Sequence, residues 1–274
     1  WHGPAGPGAR HAGGWHGRLP VAGAVIRALV AGWRLARVGV HLLHGMVVMA
    51  WRFPSLDAAG RQQRIRWWSG KLLRLAGIEF TSQGLPRPGA SLLVANHVSW
   101  LDIAVIHAAC PQARFVSKAD VLAWPLLGWL IRGAGTLFIQ RERKRDAMRV
   151  VHEMAAALQR GDTVAVFPEG TTGAGDVVLP FHANLLQAAI ATEVPVQLAV
   201  LRYSQPGERF STAAQYIGDT TLLQSIWWVL SAHGLRVDLR MLPPQGTAHA
   251  DRRALAIALQ EAAPRVLDGE PAAG

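Results

Sequence analysis

Short apolar runs alternate with helix-patterned stretches from residue 78 to near the end of the chain, and few architectures accommodate that rhythm. The predicted strands are Ile78–Gln83, Ser91–Ala95, Arg114–Ser117, Thr136–Gln140, Thr163–Phe167, Val196–Tyr203 and Leu235–Met241. Predicted helices fall between or after them at Leu101–Ala109, Arg143–Arg160, His182–Ala191, Leu222–Ala232 and Arg252–Val266. Runs such as Leu92-Leu93-Val94-Ala95 and Val164-Ala165-Val166-Phe167 lack polar alternation, as strands buried on both faces do. The expectation is an α/β domain over residues 77–274, a layered mixed sheet flanked by helices. A single cysteine, Cys110, excludes an internal disulfide framework and fits a reducing compartment. No Cys/His group has zinc spacing.

The N-terminal quarter follows other rules. Residues 1–18 hold six Gly, two Pro and three His without periodicity; they are expected to form a disordered tail, with no pattern of a removed signal peptide. Residues 1–74 carry eleven Lys/Arg against one acid, Asp57, so they account for the whole net charge of +10, and the remainder is neutral. Six of the eleven Trp lie there too. Residues 19–76 are therefore expected to form a basic, amphipathic, helical membrane-binding segment. From Leu19 to Phe53, Arg27, Arg34, Arg37, His41 and His44 fall along one helical stripe, which would face lipid phosphates. Residues 57–76 add Arg61, Arg64, Arg66, Lys71 and Arg74 beside Ile65, Trp67, Trp68, Leu72, Leu73 and Leu75, as an interfacial helix would. A helix that only packs on the domain, and a tilted span with snorkelling arginines, are the alternatives. A span needs roughly 20 apolar residues, and no uncharged run here exceeds 16. A basic chain also suits nucleic acid, but a nucleic-acid groove mixes its cations with polar residues rather than with Val, Leu and Met.

Two turns concentrate the chemistry. Asn96-His97-Val98-Ser99-Trp100 connects a predicted buried strand to a helix, which sets His97 at the strand's C-terminal end, where α/β sheets place ligand sites. Asp102 falls in the helix's first turn, from which a carboxylate can fold back onto the imidazole and fix one ring nitrogen. The other nitrogen is then free to accept a proton from a hydroxyl. Spacing alone is weak support, because His233 and Asp238 repeat it within a predicted strand, where residues an odd number apart face opposite sides. Asn96 and Ser99 also suit plain turn and capping roles. The second turn, Phe167-Pro168-Glu169-Gly170-Thr171-Thr172, closes another buried strand, since Pro168 has no N–H for a further ladder bond. It lacks the Gly-Lys-Ser/Thr of a nucleotide-binding loop.

Together these stretches resemble the glycerolipid acyltransferase family, which includes the 1-acylglycerol-3-phosphate acyltransferases. Its first motif, Asn-His-x-Ser-x-x-Asp, is met by Asn96, His97, Ser99 and Asp102. Its second, Gly-x-x-Phe-Ile-x-Arg, is met by Gly135, Phe138, Ile139 and Arg141, and its third, Phe-Pro-Glu-Gly-Thr, by Phe167 to Thr171. Val194-Pro195-Val196 is similar to the fourth, and Lys118, before Trp124-Pro125-Leu126-Leu127-Gly128, follows the family's run.

The resemblance implies a membrane-associated O-acyltransferase on the cytoplasmic face of a bacterial inner membrane. His97, oriented by Asp102, would deprotonate the hydroxyl of a lysolipid, which attacks an acyl-CoA or acyl carrier protein thioester directly. Asn96, Ser99, Phe167, Pro168, Glu169, Gly170, Thr171 and Thr172 would shape the substrate site. Arg141 would hold an anionic acceptor group, and Lys118 would contact substrate phosphates or stand in solvent. Val121–Ile131 would line an acyl channel, contact lipid or simply pack. The implied partners are the lysolipid, the acyl donor and an anionic membrane surface, without nucleic acid. Phosphate-acceptor members carry Phe-Lys-x-Gly where this chain has Phe181-His182-Ala183-Asn184, and an Arg where it has Thr172. With Leu198–Tyr203, these departures resemble the bacterial lyso-ornithine lipid branch, so 1-acylglycerol-3-phosphate and lyso-ornithine lipid both stand as acceptors. A non-catalytic lipid-binding protein and a lipid or thioester hydrolase are the rival readings.

Overall fold

In the computed structural model, residues 21–118, 137–139 and 144–269 are described. The expected tail over residues 1–18, the Val121–Ile131 run, Gly135 and Arg141 lie outside them. The strands are β1 (Glu79–Gln83), β2 (Ser91–Ala95), β3 (Ala113–Lys118), β4 (Leu137–Ile139), β5 (Thr163–Val166), β6 (Val196–Ser204) and β7 (Arg236–Met241). They form one mixed sheet in the order β1-β7-β6-β2-β5-β3-β4. Every pairing is parallel except β6 with β7. The central strands β2 and β5 are buried along their whole length, as their uninterrupted apolar sequences require.

Alternation along these strands sends side chains into two cores. Leu93, Ala95, Ala165, Ala199, Leu201 and Tyr203 face one layer. It is built on helices α2 (Ala58–Ala76), α3 (Asp102–Ala109) and α6 (Leu222–Ser231). Leu92, Val94, Val164, Val166, Leu198 and Val200 face the other. It rests on α4 (Lys144–Gln159), α5 (Gln187–Ala191) and α7 (Arg252–Asp268). Each fully buried leucine, such as Leu73, Leu93 or Leu158, contributes about 1.5–3 kcal/mol to holding the layers together.

Helix α1 (Val21–Trp51) and α2 form a hairpin ahead of the sheet. Asp57 caps α2 by accepting the Gly60 N–H, and Gly77 ends it in the left-handed conformation at φ 81°. The hairpin is pinned where His41 Nε2 lies 3.0 Å from the Trp68 carbonyl while Trp68 Nε1–H donates to the His41 carbonyl at 3.3 Å. The two rings stack at 5.1 Å, and Gly45 leaves the room that the Trp68 indole fills.

The orientation of α1 corrects the expected stripe. Arg34 points inward and donates to the carbonyls of Leu230 and Ala232 at 2.9 and 2.8 Å. Those carbonyls end α6 and have no helical partner, so a guanidinium there answers both hydrogen bonding and the helix dipole. His41 is buried, while Arg27, Arg37 and His44 stay exposed. The outward face is instead apolar, with Val25, Leu29, Trp33, Val40, Leu43, Val47 and Trp51 exposed at helical spacing. Among the described residues no helix is long and apolar enough to cross a membrane.

Candidate active site

The two motif turns meet at the C-terminal ends of the adjacent parallel strands β2 and β5. Asp102, fully buried in the first turn of α3, turns back on the loop that precedes it. Its Oδ2 lies 2.8 Å from His97 Nδ1 and accepts the backbone N–H groups of Val98 and Ser99 at 2.7 and 2.9 Å. An ionised carboxylate only accepts, so the ring proton sits on Nδ1 and Nε2 keeps its lone pair. The His97 side chain retains 20% exposure while Asp102 has none. The imidazole thus has one nitrogen tied inside and the group as a whole reachable from outside.

The Phe167 ring stacks on His97 at 4.0 Å and 14°, and Phe115 stacks behind Phe167 at 5.7 Å. This backing leaves the imidazole one open face. Glu169, also buried, accepts the His97 N–H through Oε1 at 2.8 Å and the Leu179 N–H through Oε2 at 3.0 Å. Burial is the largest influence on Glu169 and raises its pKa; the two backbone N–H groups pull it back down. Gly173 N–H donates to the His97 carbonyl at 2.7 Å, so the loop after β5 folds directly over the His97 turn.

The remaining motif residues divide by position. Both amide atoms of Asn96 are engaged by β6: Nδ2 donates to the Leu201 carbonyl at 3.0 Å and Oδ1 accepts its N–H at 2.7 Å. Asn96 therefore fixes the end of β2 to its neighbour rather than facing the opening. Ser99 is wholly buried, and its Oγ has no hydrogen-bond partner among the described residues. Pro168 is buried, and its carbonyl accepts the His182 N–H at 2.9 Å. Gly170 adopts φ 71°, a conformation that glycine permits. Thr171 is exposed, and Thr172 Oγ1 donates to the Tyr216 carbonyl. Phe138 and Ile139 lie on β4, paired with Ser117 and Lys118 at the end of β3. The decoy pair does not form: Asp238 binds Arg202 at 3.0 Å and also Thr81, while His233 is exposed.

Sequence reasoning missed one member of the cluster. Tyr203, near the end of β6, donates its O–H to Asp102 Oδ1 at 2.7 Å and is buried. Strand parity held the signal, because Tyr203 shares a face with Leu201 and Ala199. It lies one residue before the end of β6, the strand beside β2. Trp100, in the turn after β2, donates its Nε1–H to Ser225 Oγ at 3.0 Å, tying that turn to α6.

Known proteins are similar to this chain along most of its length. Residues 77–201 match the family model described as Acyltransferase, and both motif turns fall inside that segment. The chain is 36% identical over 245 residues to a lyso-ornithine lipid O-acyltransferase from Pseudomonas aeruginosa, covering 87% of this chain and 94% of that protein. It is 35% identical over 187 residues to a 1-acyl-sn-glycerol-3-phosphate acyltransferase from Neisseria gonorrhoeae, covering 68% and 72%. The fold is shared with the crystal structure of the 1-acyl-sn-glycerophosphate acyltransferase PlsC from Thermotoga maritima. That similarity has a TM-score of 0.69 at 18% identity, over 90% of this chain and 97% of that one. With a relative matched at this identity along almost its whole length, the chain belongs to the acyltransferase family, whose enzymes transfer acyl groups other than aminoacyl groups.

Proposed function

We propose that this enzyme moves a fatty acyl group from a thioester donor, acyl-CoA or acyl carrier protein, to the hydroxyl of lyso-ornithine lipid, working at a membrane surface. The observation that carries the reading is the 2.8 Å contact between His97 Nδ1 and Asp102 Oδ2. It leaves Nε2 to take the proton of the acceptor hydroxyl as its oxygen attacks the thioester carbonyl. When the tetrahedral adduct collapses, the carbon–sulfur bond breaks and the imidazolium proton passes to the departing thiolate. Asp102 stabilises the imidazolium in between. No group is oxidised or reduced, and no covalent acyl-enzyme is required.

The choice of acceptor rests on the Pseudomonas relative, matched over most of both chains, and on two positions near the turn. Thr172 stands in place of an arginine, and His182, lying beside Gly170, in place of a lysine. Both changes remove permanent positive charge, which suits an acceptor without phosphate. The Neisseria relative supports a second reading, with 1-acylglycerol-3-phosphate as acceptor. For the membrane, support comes from the exposed apolar face of α1 and the cations around it. In this reading residues 19–76 form the surface-binding unit and residues 77–274 the catalytic domain, on the cytoplasmic face.

Purified enzyme with each acyl donor should release free thiol only when a lysolipid is added, and faster with lyso-ornithine lipid than with 1-acylglycerol-3-phosphate. The reverse preference would move the assignment to the second reading. Thiol release without any lysolipid would point to hydrolysis, and full turnover by His97→Ala would remove the mechanism.

A further inference from the structure

We propose that Tyr203 is a third member of the His97–Asp102 pair, a positioning residue that sets how strongly the carboxylate supports the imidazole during proton transfer. This inference rests on the general-base reading above and extends it to a residue on another strand.

The two oxygens of Asp102 have different partners. Oδ2 accepts three hydrogen bonds, from His97 Nδ1 and from the N–H groups of Val98 and Ser99. Oδ1 accepts from the Tyr203 hydroxyl at 2.7 Å. Ser99, whose Oγ lies nearby in sequence, gives the carboxylate its N–H and not its hydroxyl. Tyr203 is thus the donor that the structure gives to Oδ1. A buried carboxylate oxygen without a donor would be costly, so this contact both rotates the carboxylate about its axis and directs Oδ2 at the ring.

The contact acts on charge as well. A phenol O–H draws electron density from the carboxylate, which moderates the pull of Asp102 on the Nδ1 proton and keeps His97 from holding its proton too tightly. Burial and the adjacent Asp102 charge push the Tyr203 pKa well above its usual value, so the phenol stays a donor at working pH. The titratable groups facing the carboxylate are His97 from the β2–α3 turn, Tyr203 from β6 and Glu169 from the loop after β5. Tyr203 is buried at 2% exposure, in contrast to the partly exposed His97, and its hydroxyl is directed at Asp102. Asn96 holds β6 in place for this purpose, clamping Leu201 two residues before Tyr203.

The test compares Tyr203→Phe, which removes one oxygen, with wild type and His97→Ala in the thiol-release assay with lyso-ornithine lipid and acyl-CoA. The expected result is a ten- to hundredfold lower kcat with KM for the lysolipid unchanged within twofold. The acid limb of the pH–kcat/KM profile should move to higher pH, since an unmoderated carboxylate favours the imidazolium. Where Tyr203→Phe fails to fold, 3-fluorotyrosine supplies the second probe. Tyr216 is the other tyrosine of the chain, so incorporation in a Tyr216→Phe background labels position 203 alone. The more acidic phenol should move the same limb to lower pH. A kcat within twofold of wild type for Tyr203→Phe, or lowered activity with an unmoved limb for either probe, overturns the proposal. Full activity in His97→Ala would instead overturn the general-base reading itself, so the two failures are distinct.

Discussion

Glu169 and His97 are joined through the backbone rather than through their side-chain chemistry: Glu169 Oε1 accepts the His97 N–H at 2.8 Å. Its second oxygen holds Leu179 N–H at 3.0 Å, so one buried carboxylate ties the turn after β2 to the loop after β5. The family-type Glu of the third motif therefore serves the geometry of the first. That relationship explains why two motifs far apart in sequence occur together. Each turn supplies hydrogen bonds to the other's backbone.

Glu169→Gln should reveal this clamp. A carboxamide offers one acceptor and one NH2 group, so one of the two N–H partners would face a donor. Leaving such a buried group unsatisfied costs about 1–3 kcal/mol, which urea unfolding would register. Turnover should fall at least tenfold because His97 loses its fixed backbone. Unchanged stability together with unchanged kcat would show that the clamp is dispensable.

Gly170→Ala addresses the same loop from the other side. At φ 71° an L-residue is strained, and a Cβ there would sit 3.2 Å from the His182 ring. The left-handed conformation alone costs roughly 1–2 kcal/mol. The variant should melt at lower temperature and turn over more slowly. Adding His182→Ala removes the contact but not the backbone strain, so the double variant should recover only part of the loss. Complete recovery would assign the whole effect to the contact.

The inward turn of Arg34 separates two properties of α1 that its sequence had merged. Leu29→Glu with Val40→Glu places charge on the outward apolar face, where Leu29 is 69% and Val40 68% exposed. Stability should change by no more than about 0.5 kcal/mol per site, whereas binding to phosphatidylglycerol-containing vesicles in a flotation assay should fall at least tenfold. Arg34→Ala should behave oppositely, losing about 1–3 kcal/mol from two unanswered carbonyls at the end of α6 with vesicle binding retained in the folded protein. Equal vesicle binding by all three proteins would exclude this face as the lipid contact.

These cases mark where the sequence was informative. Uninterrupted runs such as Leu92–Ala95, short and followed by turn residues, read as buried strands, and a turn after such a strand lies at its C-terminal end, where α/β sheets place ligand sites. That is why His97, Asp102 and the Phe167–Thr171 turn were legible. Periodicity located the stripe containing Arg34 and His41, but could not say which side of the helix would find a partner. The partners, the α6 carbonyls and Trp68, lie on separate elements, and only tertiary packing shows that Arg34 and His41 find hydrogen bonds there. Tyr203 escaped for a similar reason, and Asn96, expected to shape the substrate site, instead ties β2 to Leu201 of β6. Their roles depend on β6 lying beside β2, a neighbour relation that strand patterns leave open.

His107, one residue type that carries no motif, gives the clearest pH prediction. It lies on α3 with 6% exposure, and its Nε2–H donates to the Ala113 carbonyl at 3.1 Å while Phe115 meets the ring edge-on. Burial is the dominant influence and lowers its pKa from 6.5 to about 4, with the carbonyl partner opposing. The unfolded chain therefore binds a proton near pH 6.5 that the folded protein refuses until about pH 4. Stability rises with pH wherever the unfolded state holds more protons, so this group destabilises the fold progressively as pH falls through that window. The loss should reach about 2 kcal/mol by pH ~5 and level off near 3 kcal/mol below pH ~4, at about 1.36 kcal/mol per unit. His107→Gln keeps an N–H donor for Ala113 without a titrating group. Urea unfolding at pH ~7.5 and ~5 should show a smaller acid loss in this variant by about 2 kcal/mol. Parallel pH dependence in the two proteins would mean that protonation of the unfolded His107 does not contribute to acid sensitivity.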